Sequence, residues 1–153
     1  MDKIQFLKER LVPAIASIPL DFKPLWGKMN LQQMTEHLGR EGFQFACGKL
    51  SHSLVTPEEH IPKMQSFVMS DKTFKENTVN VLMAEEPVAL QFESMKDALW
   101  NLQNEIDDFF DVYQNEPDKI VLNPFFGPLN FEMQVSLLHK HALHHLKQFG
   151  VYV

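Results

Sequence analysis

Apolar positions recur at helical intervals in four stretches of the chain, with Pro, Gly and Asn punctuating the gaps. Ile4, Leu7 and Leu11 lie three and four residues apart with Lys8, Glu9 and Arg10 between them, the pattern of a helix with one buried face. It predicts a first helix over 3–12 that Pro13 ends or kinks. Pro19, Pro24 and Gly27 mark an irregular connection. Asn30 and Gln33 then form a capping-box pair ahead of Leu31, Met34, Leu38 and Phe45, so a second helix is expected from 31 to about 47, with Gly48 as its stop. Ser94 and Asp97 open a third, whose apolar face is traced by Met95, Leu99, Leu102, Ile106, Phe109, Phe110 and Tyr113. Asn130 and Glu132 open the last, Gly150 closes it, and Phe131, Val135, Leu138, Ala142, Leu146 and Phe149 form its core stripe.

Residues 49–93 are less regular. Thr56, Pro57 and Glu59 read as the start of a short helix that Pro62 disturbs, with Thr56 as its N-cap. The run 78–92 favours an extended course through Val79, Val81 and Leu82, while Pro87 argues against a central strand. "NPFFGPLN", residues 123–130, reads as a connection that its aromatics anchor to the core, and Trp26 and Trp100 are expected at the core or its rim. Four helices with a long crossover between the second and third predict an all-α fold, a four-helix bundle. A length of 153 residues without an internal repeat fits a single domain over 1–153.

Composition narrows the classes. Apolar residues make up 44% and charged residues 22%, with 13 Phe, which suits a globular core and not a disordered chain. A net charge of -6 without any Lys/Arg cluster leaves no face for phosphate, so nucleic acid is not an expected partner. Cys47 is the one cysteine, as a reducing compartment permits. The opening "MDKIQFLKERLV" has no signal-like apolar run, and no stretch approaches the roughly 18 apolar residues of a spanning helix, so no membrane partner and a cytoplasmic location are expected.

Candidate chemistry concentrates in "HKHALHHLKQFG", residues 139–150, which holds four of the seven histidines. At about 100° per residue, His141 and His145 lie on one helical face with Gln148 beside them. Two imidazoles at this spacing can reach one metal ion, and a tight site needs a further ligand. His37 is the strongest candidate for it, because it borders its own apolar stripe beside Met34 and Leu38, with Glu41 one turn later. His139 and His144 turn away and are expected at the surface or behind the ligands, while His52 and His60 fall in the crossover. The plainer alternative is that these histidines are hydrogen-bonded packing residues, since an i, i+4 pair also arises by chance. Glu36, Glu41 and Glu132 are possible general bases, although acids on amphipathic helices are usually solvated. Cys47 reads as a buried, unreactive thiol.

"HALHHLKQFGV" resembles the last helix of the DinB-like (DinB/YfiT) metal-binding superfamily, in which His-x-x-x-His is followed by Gln three residues later. "WGKMNLQQMTEHL" resembles the segment that brings that family's first histidine, and "NPFFGPLN" is similar to a branch of uncharacterised members. The likeness covers about residues 25–48 and 123–153. It implies an up-down-down-up four-helix bundle, often a homodimer, with a divalent ion, nickel or zinc, on His37, His141 and His145. Trp26, Glu41, His144 and Gln148 are then expected around the ligands or along a substrate pocket. Leu146 stands where many members carry an arginine, which puts in doubt any substrate contact that arginine makes. Three histidine ligands leave a coordination position open, the arrangement of catalytic sites. The resemblance implies a metal-dependent enzyme acting on a small molecule, either a transferase using a low-molecular-weight thiol or a hydrolase. The alternative is a metal-holding or ligand-binding bundle without turnover.

Overall fold

The computed structural model describes residues 2–76 and 87–153. It is mostly helical, with five helical stretches. Helix α1 (3–16) consists of an α turn Lys3–Gln5, a π-helical segment Phe6–Arg10 and an α segment Leu11–Ala16. Helix α2 (31–44) is α-helical over Leu31–His37 and π-helical over Leu38–Gln44. Helix α3 (58–69) begins as a 3-10 turn, Glu58–His60, and continues as Ile61–Met69; α4 is Met95–Asn115 and α5 is Phe131–Gln148.

The first helix passes Pro13 and runs on to Ala16. A proline in a helix interior cannot donate to the carbonyl four residues back and crowds it. The wide turn just upstream, where the Leu11 N–H donates to the Phe6 carbonyl, takes up that misfit, so the helix continues. Pro62 is likewise tolerated because it falls in the first turn of Ile61–Met69, where no intrahelical donor is required. Thr56 is not the N-cap of that helix; Pro57 occupies the capping position of the preceding 3-10 turn.

The other three N-caps, Asn30, Ser94 and Asn130, stand where the sequence predicts them. Asn30 and Gln33 form a reciprocal capping box, and Ser94 and Asn130 accept from the Asp97 and Met133 amides. Each cap satisfies a donor that the first turn leaves unpaired.

The all-α expectation is corrected by a small antiparallel hairpin, β1 (Val121–Asn123) and β2 (Gly127–Leu129). Asn123 Oδ1 accepts the Phe125 and Phe126 amides, and Gly127 takes φ +78, which only glycine adopts without strain. The two prolines of this stretch mask the strand signal, yet both strands of a two-stranded sheet are edges, where Pro128 is tolerated. Most of the extended run expected over 78–92 lies outside the described residues.

The main core unites Leu7, Leu11 and Ile15 of α1, Met34 and Leu38 of α2, Leu102, Ile106 and Phe109 of α4, and Leu138, Ala142 and Leu146 of α5. A second cluster of Val68, Phe126, Leu129 and Leu137 seats α3 and the hairpin against α5. Trp100 is 71% exposed and so belongs to neither core nor rim. Glu36, expected in solvent, is buried and accepts the Gln91 amide (2.6 Å) and the Gln32 side-chain amide (2.9 Å). It thereby ties the chain ahead of α4 to α2, and charge-assisted bonds to backbone amides offset the cost of burying the carboxylate.

Tyr113 donates to the Ala46 carbonyl at 2.7 Å, closing α4 onto the end of α2. Burial, with Cys47 beside it, pushes its hydroxyl up to about 12. The folded state therefore keeps a proton that the unfolded chain releases above pH ~10, so this stabilisation is complete below that pH and is lost toward 12. Tyr113→Phe is expected to lower the unfolding free energy by about 1–2 kcal/mol at neutral pH by orphaning that carbonyl. Urea midpoints measure this, and an unchanged midpoint would contradict it.

Candidate metal centre

Two helices build the centre. His37 is the last residue of the capped segment Leu31–His37 of α2, while His141 and His145 stand one turn apart on α5. His37 and His145 are buried and His141 is partly exposed. The Nε2 atoms of His37 and His141 are 3.0 Å apart, and those of His141 and His145 are 3.1 Å apart. Among the described residues these three form the one group of His, Cys, Asp or Glu side chains arranged to hold a metal ion.

Hydrogen bonding accounts for only part of this geometry. The Nε2 of His141 carries either one proton or one lone pair, so it makes one well-directed bond, not two. A cation fits better. Imidazole nitrogens bound at about 2.0–2.1 Å stand about 2.9 Å apart when cis in an octahedron and about 3.3 Å apart in a tetrahedron. The two observed separations lie between these values.

The electrostatics leave lone pairs available. Burial holds the His141 and His145 pKa values well below the ordinary histidine range, and the neighbouring histidines push them the same way. Both imidazoles are neutral at neutral pH, as metal binding requires. His145 also sits in the last turn of α5, where the negative end of the helix dipole favours a cation.

Around the nitrogens lies a second ring of polar groups. The His145 Nδ1–H donates to Gln148 Oε1 at 2.8 Å, and Gln148 Nε2 donates to the Trp26 carbonyl at 2.9 Å. His37 Nδ1 faces Glu41 Oε2 at 3.4 Å, and Arg40 Nε donates to Glu41 Oε1 at 2.9 Å. Burial raises the Glu41 pKa, but His37 and Arg40 together outweigh it and hold the carboxyl below its ordinary value. Glu41 is thus an anion behind His37, the placement that orients a metal-bound imidazole.

The sequence-predicted residues divide by place. His37, His141 and His145 converge; Gln148 and Glu41 back them. Trp26 reaches the centre through its carbonyl, and its ring lies 5.5 Å from the His144 ring. His144 packs between Trp26, Phe74 at 5.8 Å and His145 at 5.1 Å, walling the centre rather than joining it. His139 packs edge-on to Phe6 at 5.3 Å, and His52 and His60 are exposed on the crossover. Cys47 is buried and its thiol is pushed up, chiefly by burial, in keeping with an unreactive residue. A surface groove of about 470 Å³ beside Val12, Leu99 and Trp100 holds none of these groups.

No protein-family model, curated protein or solved structure matches the chain. Three residues of the surroundings escaped the sequence reading. Arg40 gives no spacing signal, since adjacent helical residues diverge, and Phe74 lies in an irregular segment. Gly27 reads as a loop glycine, although it abuts Gln148.

The depressed His141 and His145 pKa values set an acid limit for the metal-free protein. Below pH ~6.5 the unfolded chain takes up protons that these residues refuse in the fold, so stability present above that pH is lost as pH falls toward the folded values. Each pH unit costs up to about 1.4 kcal/mol per histidine. Urea midpoints in the presence of chelator should drop between pH ~7.5 and ~5.5, by less in His141→Gln; equal slopes in both proteins would contradict the assignment.

Proposed function

We propose that the protein holds one divalent ion, nickel or zinc, on His37, His141 and His145, and that it is a metal-dependent enzyme of the DinB-like kind. The observation that carries this reading is the convergence of three Nε2 atoms with neighbours at 3.0 and 3.1 Å, more than one shared proton explains. The residues at both ends of the chain that resemble the DinB-like superfamily support it further. The proposal includes the finer architecture, an up-down-down-up four-helix bundle of α1, α2, α4 and α5 with α3 and the hairpin carried on its side, and a cytoplasmic homodimer.

When bound, such an ion supplies Lewis acidity at a position that three protein ligands leave open, which lowers the pKa of a water or thiol there. The chain's own residues do the rest. Glu41, neutralised in part by Arg40, keeps negative charge behind His37. Trp26, Phe74 and His144 form an aromatic wall beside His145, suited to the apolar part of a small substrate. The substrate class we favour is a small molecule handled together with a low-molecular-weight thiol, in a transferase; a hydrolase is the other form of the same reading.

A second reading, a metal holder without turnover, is supported by one observation. Glu36 is committed to backbone amides and Glu41 to Arg40 and His37, so neither carboxylate is free to serve as a general base. Cobalt-substituted protein separates the two. An open position gives a thiolate-to-cobalt charge-transfer band when a small thiol is added, as we expect; a spectrum unmoved by thiols or anions would favour the holder.

A further inference from the structure

We infer that Gln148, held by the Trp26 main-chain carbonyl and admitted by Gly27, locks His145 in the tautomer with its proton on Nδ1, and is thereby a positioning residue of the metal centre. The inference rests on the metal-binding reading above. The Trp26 carbonyl can only accept a hydrogen bond. The group facing it at 2.9 Å is therefore the Gln148 NH₂. That choice fixes the rest of the amide: Oε1 is turned to His145 Nδ1 at 2.8 Å, and an oxygen acceptor calls for an N–H on that nitrogen. A neutral imidazole protonated at Nδ1 carries its lone pair on Nε2, the atom 3.1 Å from His141 Nε2. The opposite tautomer would put a proton into the space between the imidazoles.

Gln148 is 3% exposed, so no solvent competes for either end of its amide. The connection between α1 and α2 is fixed to the same residue a second time, by the Leu25 N–H donating to the Gln148 main-chain carbonyl at 2.7 Å. Gly27 makes the close approach possible. It has φ +77, and a Cβ there would lie 2.7 Å from Gln148 Nε2, closer than Cβ atoms tolerate. A side chain at 27 displaces the amide from the Trp26 carbonyl and releases the constraint on His145, although every ligand remains. The loop before α2 thus decides which nitrogen of an α5 histidine is available. Removing such an outer hydrogen-bond partner weakens metal binding by about 10–100-fold.

The test uses the full chain. Nitrogen-15 NMR of the histidine rings, in chelator at neutral pH, reads the His145 tautomer without metal, and competition against a chromophoric chelator reads the zinc dissociation constant. Wild type should show a single Nδ1–H tautomer. Gln148→Met, of similar volume but without donor or acceptor, should show a mixture and bind zinc about 10–100-fold more weakly. Gly27→Ala should behave like Gln148→Met, and it decides the matter if Gln148→Met fails to fold. A wild-type proton on Nε2, or an unchanged tautomer and affinity in both Gln148→Met and Gly27→Ala, would overturn the lock. A wild-type Nδ1 tautomer without any zinc affinity would instead sink the metal reading and leave the lock standing.

Discussion

Crowding of three imidazoles between α2 and α5, two of them buried and His141 partly exposed, is the constraint from which the rest of the arrangement follows. A buried ring nitrogen left without a partner costs about 1–3 kcal/mol, and here three ring nitrogens approach one another with a single proton at most to share between neighbours. The surrounding helices do not relieve the crowding. They enforce it, because Met34 and Leu38 flank His37 while Leu138, Ala142 and Leu146 flank the α5 pair, and all five are in the main core. Separating the imidazoles would mean parting two helices that are packed through those side chains. A divalent ion bound as proposed would resolve the conflict by accepting the lone pairs.

The outer ring shows the same economy of partners on two unlike sides. His37 is backed by a carboxylate that an arginine partly neutralises, and His145 by a neutral amide anchored on a main-chain carbonyl. A carboxylate places a negative charge behind the imidazole it faces, whereas an amide fixes orientation without adding charge. Net charge at the centre is thereby limited to one anion opposite one cation. Glu36, the neighbour of His37, is drawn off in a different direction to hold the Gln91 and Phe92 amides, so it steadies the chain before α4 and not the three histidines.

Much of this was legible in the sequence because it depends on period and on caps. Asn30, Ser94 and Asn130 begin helices where their side chains predict, and the spacing of His141, His145 and Gln148 places them on one face because a helix leaves no other option. His37 was legible for the same reason, as a polar residue at the edge of an apolar stripe. What was hidden depends on contacts between segments remote in sequence. Pro13 reads as a helix end, and only the wide turn at Phe6–Arg10 lets the helix pass it. Pro124 and Pro128 conceal a hairpin that Asn123 and Gly127 specify. Glu36 reads as a solvated acid because nothing local announces the amides it meets 55 residues later, and Gly27 reads as a loop breaker because its constraint comes from Gln148.

The most direct measurement is the metal content of untagged protein purified without added metal, by inductively coupled plasma mass spectrometry. About one equivalent of nickel or zinc per chain is expected, lost in His37→Ala and in His141→Ala and kept in His139→Ala. Absence of metal from the wild-type protein even after incubation with divalent ions, or equal loss in all three variants, would contradict the three-histidine centre.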